Sequence, residues 1–199
     1  MKKANLIAVL ISGFLISAAA WADDDMQSNA CPPAYQAQID AEFGSSTNGT
    51  TTSGITTCIS NHHHIRNVLN MSTAVLNPKS GINQTLNNAS LLIANYKNVY
   101  GIVLGDDFKL NIVAHFQGGQ FLLTDTAYNA AHPGLTTGNP SRAVVESLLA
   151  QGVHIYMCQN TMRANAWKTP DLIPGVEEVP AGVVALFDFT QSGWAVITP

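Results

Sequence analysis

Cys158 is the residue of this chain best placed to do chemistry. It closes the apolar run Val153-His154-Ile155-Tyr156-Met157 and opens the polar run Gln159-Asn160-Thr161-Met162-Arg163. That change of pattern predicts a strand handing over to a helix at the sulfur. Unpaired N–H groups and the helix dipole favour an anion at such a turn. A thiol placed there has its pKa lowered and is richer in thiolate, the nucleophilic form. Arg163, further along the same helix, adds positive charge. The position also suits a buried cysteine that only packs, and the residue types leave both readings open.

His115 closes a second apolar run, Leu110 to Ala114, and precedes Gln117-Gly118-Gly119. In a parallel sheet it would emerge on the same edge as Cys158. An imidazole beside a thiolate can stabilise it or move a proton; a hydrogen-bonded structural histidine fits the same position. Asn160, Thr161, Arg163, Gly118, Gly119 and Gly182 are the candidate ligand-binding residues around this pair. Gly182, in Pro180-Ala181-Gly182-Val183, is the start of a helix and suits close backbone approach.

His62-His63-His64 is the one histidine cluster. Adjacent side chains point in different directions, so three in a row seldom hold one ion, and no Cys-x-x-Cys or His-x-x-x-His spacing supports them. No metal site is expected. The chain also lacks G-x-G-x-x-G, a Walker lysine motif and G-x-S-x-G, which removes the commonest nucleotide and serine-hydrolase signatures. No cofactor is implied.

The elements that must position these residues read as alternating strands and helices from Ile65 onward. Expected strands run over 65–76, 110–115, 153–157 and 194–197; expected helices over 82–96, 141–150, 159–166 and 182–189. Such alternation predicts a three-layer α/β fold with a mostly parallel sheet, flavodoxin-like or Rossmann-like. Ligands bind such sheets beyond the carboxyl ends of the strands, where Cys158 and His115 fall.

The amino-terminal part is different. Lys2 and Lys3, an apolar stretch from Leu6 to Ala20, and Ala20-Trp21-Ala22 before Asp23-Asp24-Asp25 form the pattern of a cleavable secretory signal over 1–22. A periplasmic or secreted protein is expected, with no membrane span after cleavage. The formal charge is −4, more negative once both lysines are lost, which argues against a nucleic-acid partner. Residues 23–64 contain a Gly/Ser/Thr/Asn run over 44–54, read as a loop or linker. Cys31 and Cys58 flank it, and an oxidising compartment favours their pairing, which would leave Cys158 as the odd thiol.

The order of motifs in the carboxyl-terminal half resembles the DsrE/DsrF-like family. The resemblance rests on Val153 to Met162, then Asp171-Leu172-Ile173-Pro174-Gly175-Val176, Val179-Pro180-Ala181-Gly182-Val183 and Gln191-Ser192-Gly193-Trp194-Ala195, with Val113-Ala114-His115 similar to the family's V-x-H-G stretch. Phe116 stands where that stretch has glycine. The similarity spans roughly residues 65–199. It implies a DsrE-type fold, assembly into trimers or hexamers, and Cys158 at the position of the family cysteine. Some such proteins carry sulfane sulfur as a cysteine persulfide and exchange it with donor and acceptor partners. The expectation is an exported protein that binds or transfers sulfane sulfur through Cys158, assisted by His115. The alternatives are a non-catalytic oligomeric binding module and a histidine-based periplasmic metal binder.

Overall fold

The computed structural model describes Tyr35, Gln38, Ile39, Ala41 and residues 58–199. The expected signal segment 1–22, most of the 23–64 extension and Cys31 lie outside the described residues.

Among the described residues, five strands form one all-parallel sheet. They are β1 (Ile65–Met71), β2 (Phe108–Ala114), β3 (His154–Cys158), β4 (Glu177–Val179) and β5 (Ala195–Ile197), in the order β4-β3-β2-β1-β5. Within residues 58–199 the helices are α1 (Gln84–Tyr100), α2 (Asp125–Ala131), α3 (Arg142–Ala150), α4 (Gln159–Ala164) and α5 (Gly182–Gln191), with 3₁₀ turns at Phe116–Leu122 and Thr169–Asp171. The expected three-layer α/β architecture is the one observed.

Alternation along β2 explains the layers. Phe108, Leu110, Ile112 and Ala114 face one side, where they join Ile155 and Met157 of β3, Leu69 and Met71 of β1, Leu86, Ala89 and Ile93 of α1, and Val145 and Leu148 of α3. All are buried, and each large aliphatic side chain withdrawn from water contributes roughly 1.5–3 kcal/mol. Lys109, Asn111, Val113 and then His115 face the other side, which α5 covers by packing on β1, β2 and β3. That second face is thinner and more polar, and the candidate chemistry lies on it.

Buried amides tie the first layer together. Asn83 caps α1 by accepting from the Thr85 N–H at 3.0 Å and donates to the Thr73 carbonyl at 3.0 Å. Asn139 donates to the Phe121 and Leu123 carbonyls at 2.9 and 2.7 Å and accepts from the Ser141 N–H at 2.9 Å. Capping by Asn83 starts α1 later than the expected 82, and the helix runs to Tyr100 instead of 96.

Other boundaries also differ from expectation. β1 stops at Met71, not at 76, because its partner β2 ends in register with it at Ala114. The strand β4 and the helix α2 were not anticipated. β4 has three residues, Glu-Glu-Val, and is a strand only because it pairs with β3. α2 is Asp-Thr-Ala-Tyr-Asn-Ala-Ala, too polar for an apolar stripe, yet its Thr124 cap is an ordinary start signal.

Near the amino terminus, Ile39 and Cys58 are buried against Val99, and Tyr35 packs edge-on to Tyr100 at 5.5 Å. Cys58 is disulfide-bonded and Cys158 is free. No helix among the described residues is long and apolar enough to cross a membrane.

Candidate functional site at Cys158

Three parallel strands deliver their carboxyl ends to one place. β3 ends at Cys158, β2 is followed by His115, and β1 carries Asn70 one residue before its end. The amino end of α5 comes down on them, and Gly182 is the residue that touches. A Cβ built on Gly182 would lie 3.0 Å from His115 Cβ and 3.3 Å from Cys158 Cβ. Contacts of 3.0 Å are too short for carbon against carbon, so glycine lets the helix backbone reach the sulfur.

The approach matters electrostatically. Burial pushes the Cys158 thiol pKa up, but hydrogen bonds from the Gly182 N–H, the Thr161 N–H and hydroxyl, and the Asn160 N–H outweigh it, and the pKa lies below its ordinary value. Donors aimed at sulfur stabilise the thiolate and not the thiol. Three come from the first turn of α4, as the strand-to-helix reading requires; the Gly182 donor comes from a separate helix.

Cys158 is only 5% exposed, yet it is not sealed in apolar packing. It lines an open-mouthed cavity of about 260 Å³ with His115, Phe116, Asn160, Thr161, Gly182 and Val183. No cationic side chain lines that cavity. The walls are mainly Phe116, Ala164, Ala181 and Val183, so it is apolar apart from the donors at its floor.

His115 is buried, and burial holds its pKa below the ordinary histidine value. Its Nε2–H donates to Asn70 Oδ1 at 2.7 Å, and Asn70 Nδ2 in turn donates to Thr198 Oγ1 at 3.0 Å. The amide oxygen can only accept, so the proton sits on Nε2 and leaves Nδ1 with its lone pair. Asn70 was not singled out from sequence; a polar residue near the carboxyl end of a buried strand was the available signal.

Phe116 has φ +49° and is 65% exposed. This left-handed backbone is unfavourable for a side chain, and it accounts for glycine being usual in the similar stretch. The conformation turns the Phe116 N–H onto Thr161 Oγ1 at 2.9 Å, and the ring lies 4.6 Å from that of His115.

Of the expected ligand-binding residues, Asn160, Thr161 and Gly182 meet at the cavity with Cys158 and His115. Arg163 does not: it is exposed and donates to Asn160 Oδ1 instead of facing the sulfur. Gly118 and Gly119 do not line the cavity either. A Cβ on Gly118 would meet the Met71 carbonyl oxygen at 2.1 Å, and one on Gly119 would meet Met157 Cε at 2.8 Å; both serve close packing beneath the site. The three histidines diverge. His62 contacts Tyr35 and the Ile59 carbonyl, His63 pairs with Asp107 at 2.9 Å, and His64 is exposed. Among the described residues no three His, Cys, Asp or Glu side chains converge.

Comparison with known proteins adds the lineage. No curated protein matches the chain. Among solved structures, MTH1491, a protein of unknown function from Methanobacterium thermoautotrophicum, has 27% identity and a TM-score of 0.47, covering 68% of this chain and 99% of that one. The ychN protein from E. coli has 21% identity and a TM-score of 0.41, covering 68% of this chain and all of that one (100%). A profile of the DsrE/DsrF-like family matches residues 71–199, which include the strand ends, Cys158 and α5. The chain belongs to the DsrE/DsrF-like family.

Proposed function

We propose that this protein is a carrier of sulfane sulfur, held as a persulfide on Cys158. The observation that carries the reading is the set of donors from Gly182, Thr161 and Asn160 that lower the pKa of Cys158 at the floor of a cavity and so favour its thiolate. The thiolate attacks the terminal sulfur of a donor R–S–SH. The new Sγ–S bond forms as the donor S–S bond breaks, and R–S⁻ leaves. An acceptor thiolate then attacks the outer sulfur, and the Cys158 thiolate is the leaving group. The low pKa serves both steps, since a stable thiolate also leaves readily. His115, neutral and fixed through Asn70, is suited to accept or return a proton at Nδ1.

The uncharged apolar lining favours a neutral organic persulfide or trisulfide over a dianion such as thiosulfate, because an unpaired charge is costly to desolvate. Residues 1–22 support export, which places the sulfur exchange outside the cytoplasm. α5 and β5 expose Val183, Val184, Phe187, Val196 and Ile197. This apolar surface supports a homo-oligomer of the kind the family resemblance implies.

Mass spectrometry after incubation with polysulfide and with an apolar organic trisulfide tests the reading. The expected result with polysulfide is the gain of one or more sulfur atoms at Cys158; with the trisulfide R–S–S–S–R it is the mixed trisulfide, R–S⁻ leaving after attack at the central sulfur, or the mixed disulfide, R–S–S⁻ leaving after attack at an outer sulfur. Neither appears in Cys158→Ser. No adduct with any donor at pH values where the thiol is ionised overturns it.

A further inference from the structure

A second cavity lies on the α5 face of the sheet at the opposite end of the strands. It measures about 440 Å³ and is lined by Lys109 and Asn111 of β2, His154 and Tyr156 of β3, Phe189 of α5 and Trp194 before β5. It shares no lining residue with the Cys158 cavity. His154 begins the strand that Cys158 ends, so the two lie roughly 13 Å apart along β3. α5 spans between them: Gly182 at its start touches the cysteine, and Phe189 near its end roofs the second cavity.

Two features set this cavity apart from a surface groove. Three aromatic rings form one connected wall, with Tyr156 to Phe189 at 5.8 Å and Phe189 to Trp194 at 5.2 Å, edge-on. The floor holds Asn111, which is 5% exposed and whose amide has no side-chain partner among the described residues. The buried amides of Asn83 and Asn139 are tied to backbone groups. A buried amide left without partners costs about 1–3 kcal/mol, and a protein interior rarely keeps one without a use. Lys109, two residues earlier on the same face, is exposed at the rim. His154 is already engaged, its Nδ1 bonded to Glu177 Oε1 at 2.7 Å.

We propose that this cavity binds a small aromatic carboxylate, its ring against Phe189 and Trp194 and its carboxylate accepting from the Asn111 amide and the Lys109 ammonium. Each element of the class answers a feature of the site. Flat faces match the aromatic wall, and a charged acceptor suits an amide donor and an ammonium better than a neutral one. The volume falls within the range usual for small-molecule sites. The glutamate beside His154 excludes a second negative charge on that side, which restricts the ligand to a monoanion.

The test uses the full purified protein and benzoate, with cyclohexanecarboxylate (charge without a flat ring) and benzyl alcohol (ring without charge) as controls. In ¹H–¹⁵N spectra benzoate is expected to shift the Asn111 side-chain amide and the Trp194 indole N–H, with either control at least tenfold weaker, roughly the worth of one good contact. Asn111→Leu is expected to lose this response while its melting temperature holds or rises, because an unpartnered amide is replaced by an apolar side chain of similar size. Lys109→Met, at an exposed position, is the second variant and should weaken binding without affecting folding. Alkylation of Cys158 is expected to be unchanged in both. The proposal fails if benzoate leaves both signals unmoved at millimolar concentration, if all three compounds act alike, or if Lys109→Met binds benzoate as well as the parent.

Discussion

The Phe116 N–H donates to Thr161 Oγ1 at 2.9 Å, and the same hydroxyl helps to lower the pKa of Cys158. One side chain therefore links the strained turn after β2 to the thiol at the end of β3. Thr161→Val keeps the shape and removes the relay. It should raise the Cys158 pKa and leave the Phe116 N–H without its acceptor, a loss of about 1–3 kcal/mol. The pH dependence of iodoacetamide alkylation reads the first effect and urea unfolding the second. An unshifted alkylation midpoint would show that the hydroxyl does not act on the sulfur.

Gly182→Ala probes the closest approach in the site. The added methyl would lie 3.0 Å from His115 Cβ and 3.3 Å from Cys158 Cβ, so the helix or its neighbours must give by a few tenths of an ångström, which loosens the Gly182 N–H from the sulfur. Overpacking of this kind costs about 1–3 kcal/mol. Thiol reactivity near neutral pH should fall with it, measured as the alkylation rate of folded protein against that of the denatured chain. A variant as stable and as reactive as the parent would contradict the geometry.

The buried His115 makes stability depend on pH in a defined direction. Its folded pKa lies below the ordinary value, so the unfolded chain takes up a proton first as pH falls. Stability at this site is full above about pH 6.5 and declines below it, until the folded state also protonates. Urea midpoints of the parent and of His115→Gln, compared between neutral pH and the onset of acid unfolding, isolate the term. The parent should show the steeper fall; parallel profiles would count against a buried neutral imidazole.

Phe116→Gly should relieve the left-handed backbone. A side chain at positive φ costs about 1–2 kcal/mol and glycine gives back about 0.5–1 of it in unfolded-state entropy. A net gain of about 0.5–1 kcal/mol follows from the difference, seen in thermal or urea unfolding. The substitution also removes an exposed ring from the cavity wall, so alkylation of Cys158 by bulky reagents should accelerate. Slower reaction with them would mean that the ring helps to capture apolar reagents.

Phe187 lies 65% exposed on α5 among other apolar side chains. If this surface joins copies of the chain, Phe187→Asp should lower the mass measured by light scattering after size exclusion, with circular dichroism unchanged. An unchanged mass would place the interface elsewhere.

Much of the fold was legible because apolar runs and helical stripes report burial directly. Leu110 to Ala114 and Val153 to Met157 alternate with helical segments, and that alone implied parallel strands with their ends together. The polar run after Met157 located the turn at Cys158. Glu177–Val179 carries no such signature, since a three-residue strand is defined by its partner and not by its composition. The part played by Asn70 was not legible either: Asn70 and His115 are 45 positions apart in the chain and meet only because β1 and β2 lie side by side.

By itself the sequence determined which segments are strands and helices over most of the matched region, and that a cysteine stands at the end of one strand. Local patterns suffice for that, because periodicity and turn chemistry act over a few residues. Only the tertiary structure decided that Arg163 turns away, that Gly118 and Gly119 pack beneath the site, and that Gly182 brings a backbone donor to the sulfur. These depend on how close two distant backbones come, a distance that no single segment encodes.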